Sequence, residues 1–185
     1  MPESGKNLAI YTRLGLTPHM LTLLFRGALA PAPRGRFEFW DGGDELAQIA
    51  GRLVPGLDPT PAARWLVEEQ AGDTLIWRDG GQPVAFAALR HAMRRQGAPP
   101  SFVTVEAAAC LPAAAGQWPD MLADMQMYAR SGGLGGLILP ANARQLELTR
   151  GLLAAGLHIA FTRVRLVAGA ELGTPDAILM FTLAM

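Results

Sequence analysis

Residues 28–35 read Ala-Leu-Ala-Pro-Ala-Pro-Arg-Gly, a small, proline-rich stretch nearly free of large side chains. Such a composition behaves as a semi-rigid linker. It separates residues 1–27 from residues 36–185, and only the second piece is long enough to build a core of its own. The short piece reads as helix, turn and strand. Leu8, Tyr11 and Leu14 recur at helical spacing, Gly15 stands where a glycine stops a helix, and Met20–Phe25 is an apolar run of the buried-strand type. One helix and one strand cannot bury their own apolar faces. Leu21, Leu23 and Phe25 must therefore pack on the large piece or on a second copy of the chain, in a homodimer held through 1–27.

The large piece opens with a strand around Phe37–Trp40. A helix follows Asp41-Gly42-Gly43-Asp44 with Leu46, Ile49 and Leu53 on one face, and another follows Asp58-Pro59-Thr60-Pro61, where Thr60 can cap and Pro61 suits the first helical position. Asp79-Gly80-Gly81 between Thr74–Trp77 and Val84–Leu89 is a strong hairpin signal. Phe102–Val105 begins a strand that runs to Cys110. After Trp118-Pro119 comes a helix carrying Met121, Leu122, Met125 and Ala129, ended by Ser131-Gly132-Gly133. A short buried strand, Gly136–Leu139, leads through Pro140 to a helix from Asn142 to about Ala155, and strands are expected over His158–Val167 and Ala177–Leu183. This order predicts an α/β fold: one sheet of mixed strand direction with helices on both faces.

Composition removes several function classes. Sixteen basic and 16 acidic residues cancel to a net charge of zero, which leaves no long-range field for general nucleic-acid binding. Arg90-His91-Ala92-Met93-Arg94-Arg95 is the one basic cluster, and without interleaved aromatics it reads as a solvated loop. No run reaches the ~20 apolar residues of a membrane span. A single cysteine and the lack of a basic-apolar opening point to the cytoplasm. His19, His91, His158 and Cys110 have no metal-ligand spacing, so no metal site is expected. Gly132-Gly133-Leu134-Gly135-Gly136 follows a helix and precedes a strand, the reverse of a dinucleotide loop.

The element order of 36–185 resembles that of the GNAT superfamily of acyl-CoA N-acyltransferases. Arg78–Phe86 is similar to the family's turn between its second and third strands; Ile138-Leu139-Pro140-Ala141-Asn142, followed by Leu152–Leu157, resembles its strand, Asn-led helix and Gly-Phe ending. In the short piece, Ile10-Tyr11-Thr12-Arg13-Leu14-Gly15-Leu16 looks like the family's Leu-Tyr-x-x-x-Gly-Phe phrase, with Ser4 and Asn7 exchanged relative to the usual upstream residues. The resemblance implies that 1–27 is the end of a first GNAT domain, that 36–185 is a second one, and that its sheet is mostly antiparallel. It also implies that acetyl-CoA is the cofactor and that an amine on a small molecule or peptide is the acceptor. Tyr11 then stands where the family's tyrosine protonates the departing thiolate. The residues expected near the cofactor are Cys110, Pro112, Gly116, Gln117 and Asn142.

Laid on Pro112–Asp120, the family's pyrophosphate loop keeps Pro112 and Gly116 but has Ala115 at the Arg/Gln position, Trp118 at the second glycine and Asp120 at the last small residue. Trp118 adds bulk, Pro119 removes a donor, and Asp120 repels a dianion by roughly 1–4 kcal/mol per charge pair at about 4 Å. The tyrosine position of the second domain falls on Leu152 or Thr149, depending on the anchor used, and neither replaces a phenol. Tyr128 lies on the preceding helix. Glu106 is the candidate base if burial raises its pKa, and the alternative is a strand carboxylate facing solvent or an arginine. Two functions follow: an N-acetyltransferase with a degraded pyrophosphate loop, or an inactive GNAT-fold domain serving as a structural, regulatory or dimerisation module.

Overall fold

The computed structural model describes residues 5–28, 36–91, 102–167 and 178–181. Residues 29–35 of the expected linker, and residues 92–95 of the basic cluster, lie outside them. Helix α1 (Gly5–Arg13) leads into strand β1 (Thr17–Ala28), which takes in the first residue of the expected linker. Then follow β2 (Phe37–Phe39), α2 (Glu45–Leu53), α3 (Thr60–Glu68), β3 (Gly72–Asp79), β4 (Gln82–His91) and β5 (Val103–Cys110). A 3-10 turn (Pro112–Gln117) joins β5 to α4 (Trp118–Ser131), and β6 (Gly136–Asn142), α5 (Leu146–Ala154), β7 (His158–Val167) and β8 (Ile178–Phe181) complete the chain.

Among the described residues eight strands form one sheet in the order β2-β3-β4-β5-β6-β1-β7, with β8 paired to β5 off this path. Only β5 and β6 run parallel; every other pairing is antiparallel. The hairpin closes through Gly80 and Gly81, at φ 56° and 81°, the left-handed pair that a two-residue turn between twisted strands requires. α2 and α3 bury Leu46, Ile49, Leu53, Ala63 and Leu66 against Ile76, Phe86 and Ala88 on one face. On the other face Met121, Met125, Leu148 and Leu152 from α4 and α5 meet Leu75, Leu89, Val105 and Leu139. The mixed, mostly antiparallel sheet with helices on both faces is thus the architecture expected from the element order and the resemblance.

The short N-terminal piece finds its cover within the chain. β1 lies between β6 and β7, antiparallel to both, with Phe25 opposite Leu139 and Ile159. Leu23 and Phe25 are buried in the large core, whereas Leu21 stays 42% exposed. Of the two covers the sequence allowed, the large piece supplies the one seen, so burial of Leu23 and Phe25 needs no second copy.

Other boundaries differ from expectation: Arg90 and His91, read from the sequence as part of a solvated loop, are half-buried at the end of β4, where Arg90 pairs with Glu106. β6 runs through Pro140 to Asn142, and α5 begins only at Leu146. A proline is tolerated there because the ladder of β6 to β5 ends at Ile138, leaving that part of β6 edge-like on its β5 side.

Candidate functional site

The parallel pair β5–β6 is joined only at Val103–Leu137 and Thr104–Ile138. The cause lies two residues on. In the β4–β5 ladder Leu89 faces Val105 and Ala88 faces Ala107, so Glu106 is an extra residue, a β-bulge. Val105 contributes to the α4 side of the core, Ala107 to the α2–α3 side, and Ala108 to the α4 side again, which is the phase slip a bulge imposes. β5 bends there and parts from β6. The edge it turns away from β6 is then taken by β8, antiparallel, with Ala107 opposite Phe181 and Cys110 opposite Ile178. A slot between two diverging parallel strands is therefore present and filled by the chain's own backbone.

Glu106 is 5% exposed, and its Oε1 accepts a hydrogen bond from Arg90 Nε of β4 in a close ion pair. It thus faces an arginine. Cys110 ends β5, is buried, and hydrogen-bonds through Sγ to the Leu111 carbonyl at 3.5 Å. Burial pushes its thiol up to about 11. At pH 8 roughly one thiol in 10³ is then ionised, so a disulfide-exchange reagent should label Cys110 at least ~100-fold more slowly in the native chain than in urea. Equal rates would place Cys110 at an open mouth rather than in the core.

Pro112, Gly116 and Gln117 belong to the 3-10 turn, and all three are exposed. This turn runs directly into α4. The Trp118 N–H is consumed by the Ala115 carbonyl and Pro119 has none, while Asp120 stands exposed in the first helical turn. No glycine loop precedes the helix, and two donors of the kind that hold a phosphate at a helix N-terminus are missing. The half-buried Trp118 ring reaches across to α5: a Cβ built on Gly151 would meet its Cζ2 at 2.6 Å. Beneath it lies an apolar cavity of about 20 Å³, lined by Trp77, Ala85, Ala108, Cys110, Trp118 and Met125. That is room for about one water, whereas sites for drug-sized ligands measure ~300–1,000 Å³.

Asn142 closes β6 opposite Thr22, and its Oδ1 accepts the Arg144 N–H at 2.9 Å, so it caps its own turn rather than leading the helix. Cys110, Pro112, Gly116 and Gln117 fall within one short stretch at the end of β5 and in the 3-10 turn after it, and Glu106 precedes them on β5. Tyr11 stands apart from this group. It is 45% exposed on α1, which leads into β1, and β1 lies on the far side of β6 from β5. Leu152 is fully buried in the core, and Thr149 Oγ1 is buried as well. The residues present do not fit acetyl-CoA in the described arrangement. The acetyltransferase reading needs an open V between the two diverging strands, and β8 fills it; the pyrophosphate end lacks two donors and carries an acid, and no phenol stands at the expected place on α5.

A second polar group has no sequence signal. Tyr128 of α4 donates to Asp73 Oδ2 at 2.5 Å and lies 2.7 Å from His91 Nε2, with the two rings stacked. Burial first, then the Asp73 carboxylate, holds the phenol far above its ordinary pKa, so it stays protonated as a donor. These residues come from three elements far apart in sequence, and only the packing of α4 on the sheet joins them. Among the described residues no cluster of three His, Cys, Asp or Glu is placed to hold a metal ion, and no helix is long and apolar enough to cross a membrane.

Comparison with solved structures identifies the fold. An acetyltransferase from the GNAT family of Colwellia psychrerythraea superposes with a TM-score of 0.61 at 14% identity, over 97% of this chain and 63% of that one. A protein from Novosphingobium aromaticivorans assigned to the GNAT acetyltransferases gives 0.55 at 16%, over 91% and 67%. A GCN5-related N-acetyltransferase from Kribbella flavida gives 0.51 at 17%, over 96% and 64%. The chain spans about two-thirds of the length of each, 63–67%. No protein-family model and no curated protein sequence matches it. The likeness supports a GNAT fold for the chain.

Proposed function

We propose that this chain is a GNAT-fold domain that acts as a structural or regulatory module and does not itself transfer acetyl groups. The observation that carries this reading is the occupied slot, in which Ala107–Cys110 pair with Ile178–Phe181 along the edge that β5 turns away from β6. The 3-10 turn, Trp118 packed over Gly151, and the exposed Asp120 support it, because each removes a contact that a diphosphate-bearing cofactor needs.

The bulge at Glu106 favours a second reading, an N-acetyltransferase acting on the amine of a small molecule or peptide, because the frame of the slot persists beneath β8. That reading requires β8 and Trp118 to leave and Glu106 to be released from Arg90. Calorimetric titration with acetyl-CoA at millimolar concentration separates the two. The module gives no saturable heat. Saturable binding, with acetyl-CoA consumed and free thiol released in the presence of an amine, would establish the enzyme instead.

A further inference from the structure

We propose that the edge of β5 over Ala107–Cys110, beside the departing half of β6, is a strand-addition site, and that the chain's own C-terminal strand is its exchangeable internal ligand. The proposal rests on the reading above in taking the slot as closed by β8, and it assigns what the slot recognises: an extended apolar peptide.

Residues Ala107, Ala108, Ala109 and Cys110 are all buried, at 3, 6, 2 and 2% exposure. Their backbone groups on the side away from β4 lose β6 as partner after Thr104. With β8 in place these groups are covered and paired; without it they form an open ladder edge of the kind that takes up another extended backbone. The four residues carry three methyl side chains and one thiol, which put no bulk in the way of an incoming strand. Main-chain pairing of this kind takes a peptide by its extended backbone, as in other sheet-edge recognition.

β8 has the properties of a ligand more than of a permanent member of the sheet. It is four residues long, and among the described strands β5 is the one it forms a ladder with. Consecutive antiparallel strands usually pair with each other. Here β8 pairs with β5 while β7 pairs with β1, so β8 is not tied into a hairpin with the strand before it. Residues 168–177 tether it instead. A short tether gives an effective concentration of roughly millimolar, enough to keep out a free peptide at micromolar concentration.

The test uses the full chain and a fluorescent peptide of residues 174–185. Successive residues of a strand point their N–H groups to opposite edges, so the double variant Leu179→Pro/Met180→Pro must remove a donor facing β5 whichever register β8 adopts. The variant should bind the peptide saturably, with a half-saturation point at least ~10-fold lower than that of the unaltered chain, which faces its own tethered strand. A variant that melts cooperatively yet binds the peptide no better than the unaltered chain overturns the proposal.

Hydrogen exchange on the unaltered chain gives a reading that does not depend on the variant folding. Amides of Ala107–Cys110 facing β8 should be protected but exchange at least ~10-fold faster than those of Ala85–Leu89, because β8 opens without the rest of the sheet. Exchange only through global unfolding, or no protection at all, overturns the proposal. Acetyl-CoA titrated into the same proteins separates this failure from that of the module reading. Binding to the unaltered chain sinks the module reading, and binding to the variant alone supports β8 as the element that closes the slot.

Discussion

Phe25→Ala should lower the unfolding free energy by about 3–5 kcal/mol and the melting midpoint by about 10 °C, taking ~2–4 °C per kcal/mol for a chain of this size. Phe25 is fully buried and lies in β1 between Leu139 of β6 and Ile159 of β7, within the same core as Leu89, Val103 and Val105. Removing its ring takes away apolar burial and leaves a cavity that two flanking strands cannot close without sliding their ladders. The effect tests more than one side chain. If residues 1–27 were only an appendage, truncating Phe25 would cost little and leave the midpoint unchanged. Leu21→Ala is the control: at 42% exposure it should cost under ~1 kcal/mol. Chemical denaturation with equal slopes for all three proteins would attribute the difference to stability rather than to altered compactness.

Asp124→Ala is expected to cost about 3 kcal/mol, and Asp124→Asn about 1 kcal/mol, because the amide keeps an acceptor oxygen. Asp124 is 3% exposed on α4, and its Oδ2 accepts the Trp77 indole N–H at 2.7 Å and the Arg36 backbone N–H at 3.1 Å. The alanine variant leaves the buried indole N–H without its acceptor, at a cost of ~1–3 kcal/mol, and weakens the half-buried Arg36 contact as well. Relief from burying a carboxylate offsets part of this, so the expected loss is below the sum of two unsatisfied donors. The carboxylate fixes α4 on β3 and ties down the chain just before β2. Trp77 also lines the apolar cavity with Trp118 and Cys110. A second readout follows from that position: Cys110 should become measurably more reactive to thiol reagents in Asp124→Ala. An alanine variant as stable as the parent, with Cys110 still protected, would show that the indole and the Arg36 amide find other acceptors.

Much of the fold is legible along the chain because its cues are local. Asp79-Gly80-Gly81 supplies the two positive φ angles that fix the β3–β4 hairpin. The stripes Leu46, Ile49, Leu53 and Met121, Leu122, Met125 set which faces of α2 and α4 are buried. The loss of a glycine cradle is also written in the chain, as Trp118, Pro119 and Asp120. Asp124 is not legible in the same way. It falls on the buried side of α4 between Met121 and Met125, and the carboxylate there is explained by the Trp77 indole, 47 residues away, and the Arg36 amide, 88 residues away. The Arg90–Glu106 pair and the contact of Tyr128 with Asp73 and His91 are equally non-local.

The sequence by itself determined the elements, their order, the two-faced α/β sheet, and the damage to the anion-binding end of α4. Tertiary structure alone decided where β1 and β8 go. Apolar periodicity tells which side of a strand is buried, but a ladder partner depends on which edges remain open once the other strands have paired. β1 takes the gap between β6 and β7, and the bulge at Glu106 opens an edge of β5 that β8 fills. The same apolar strand sequences would satisfy other edges equally well, so these placements, and with them the closed slot, follow from the assembled sheet.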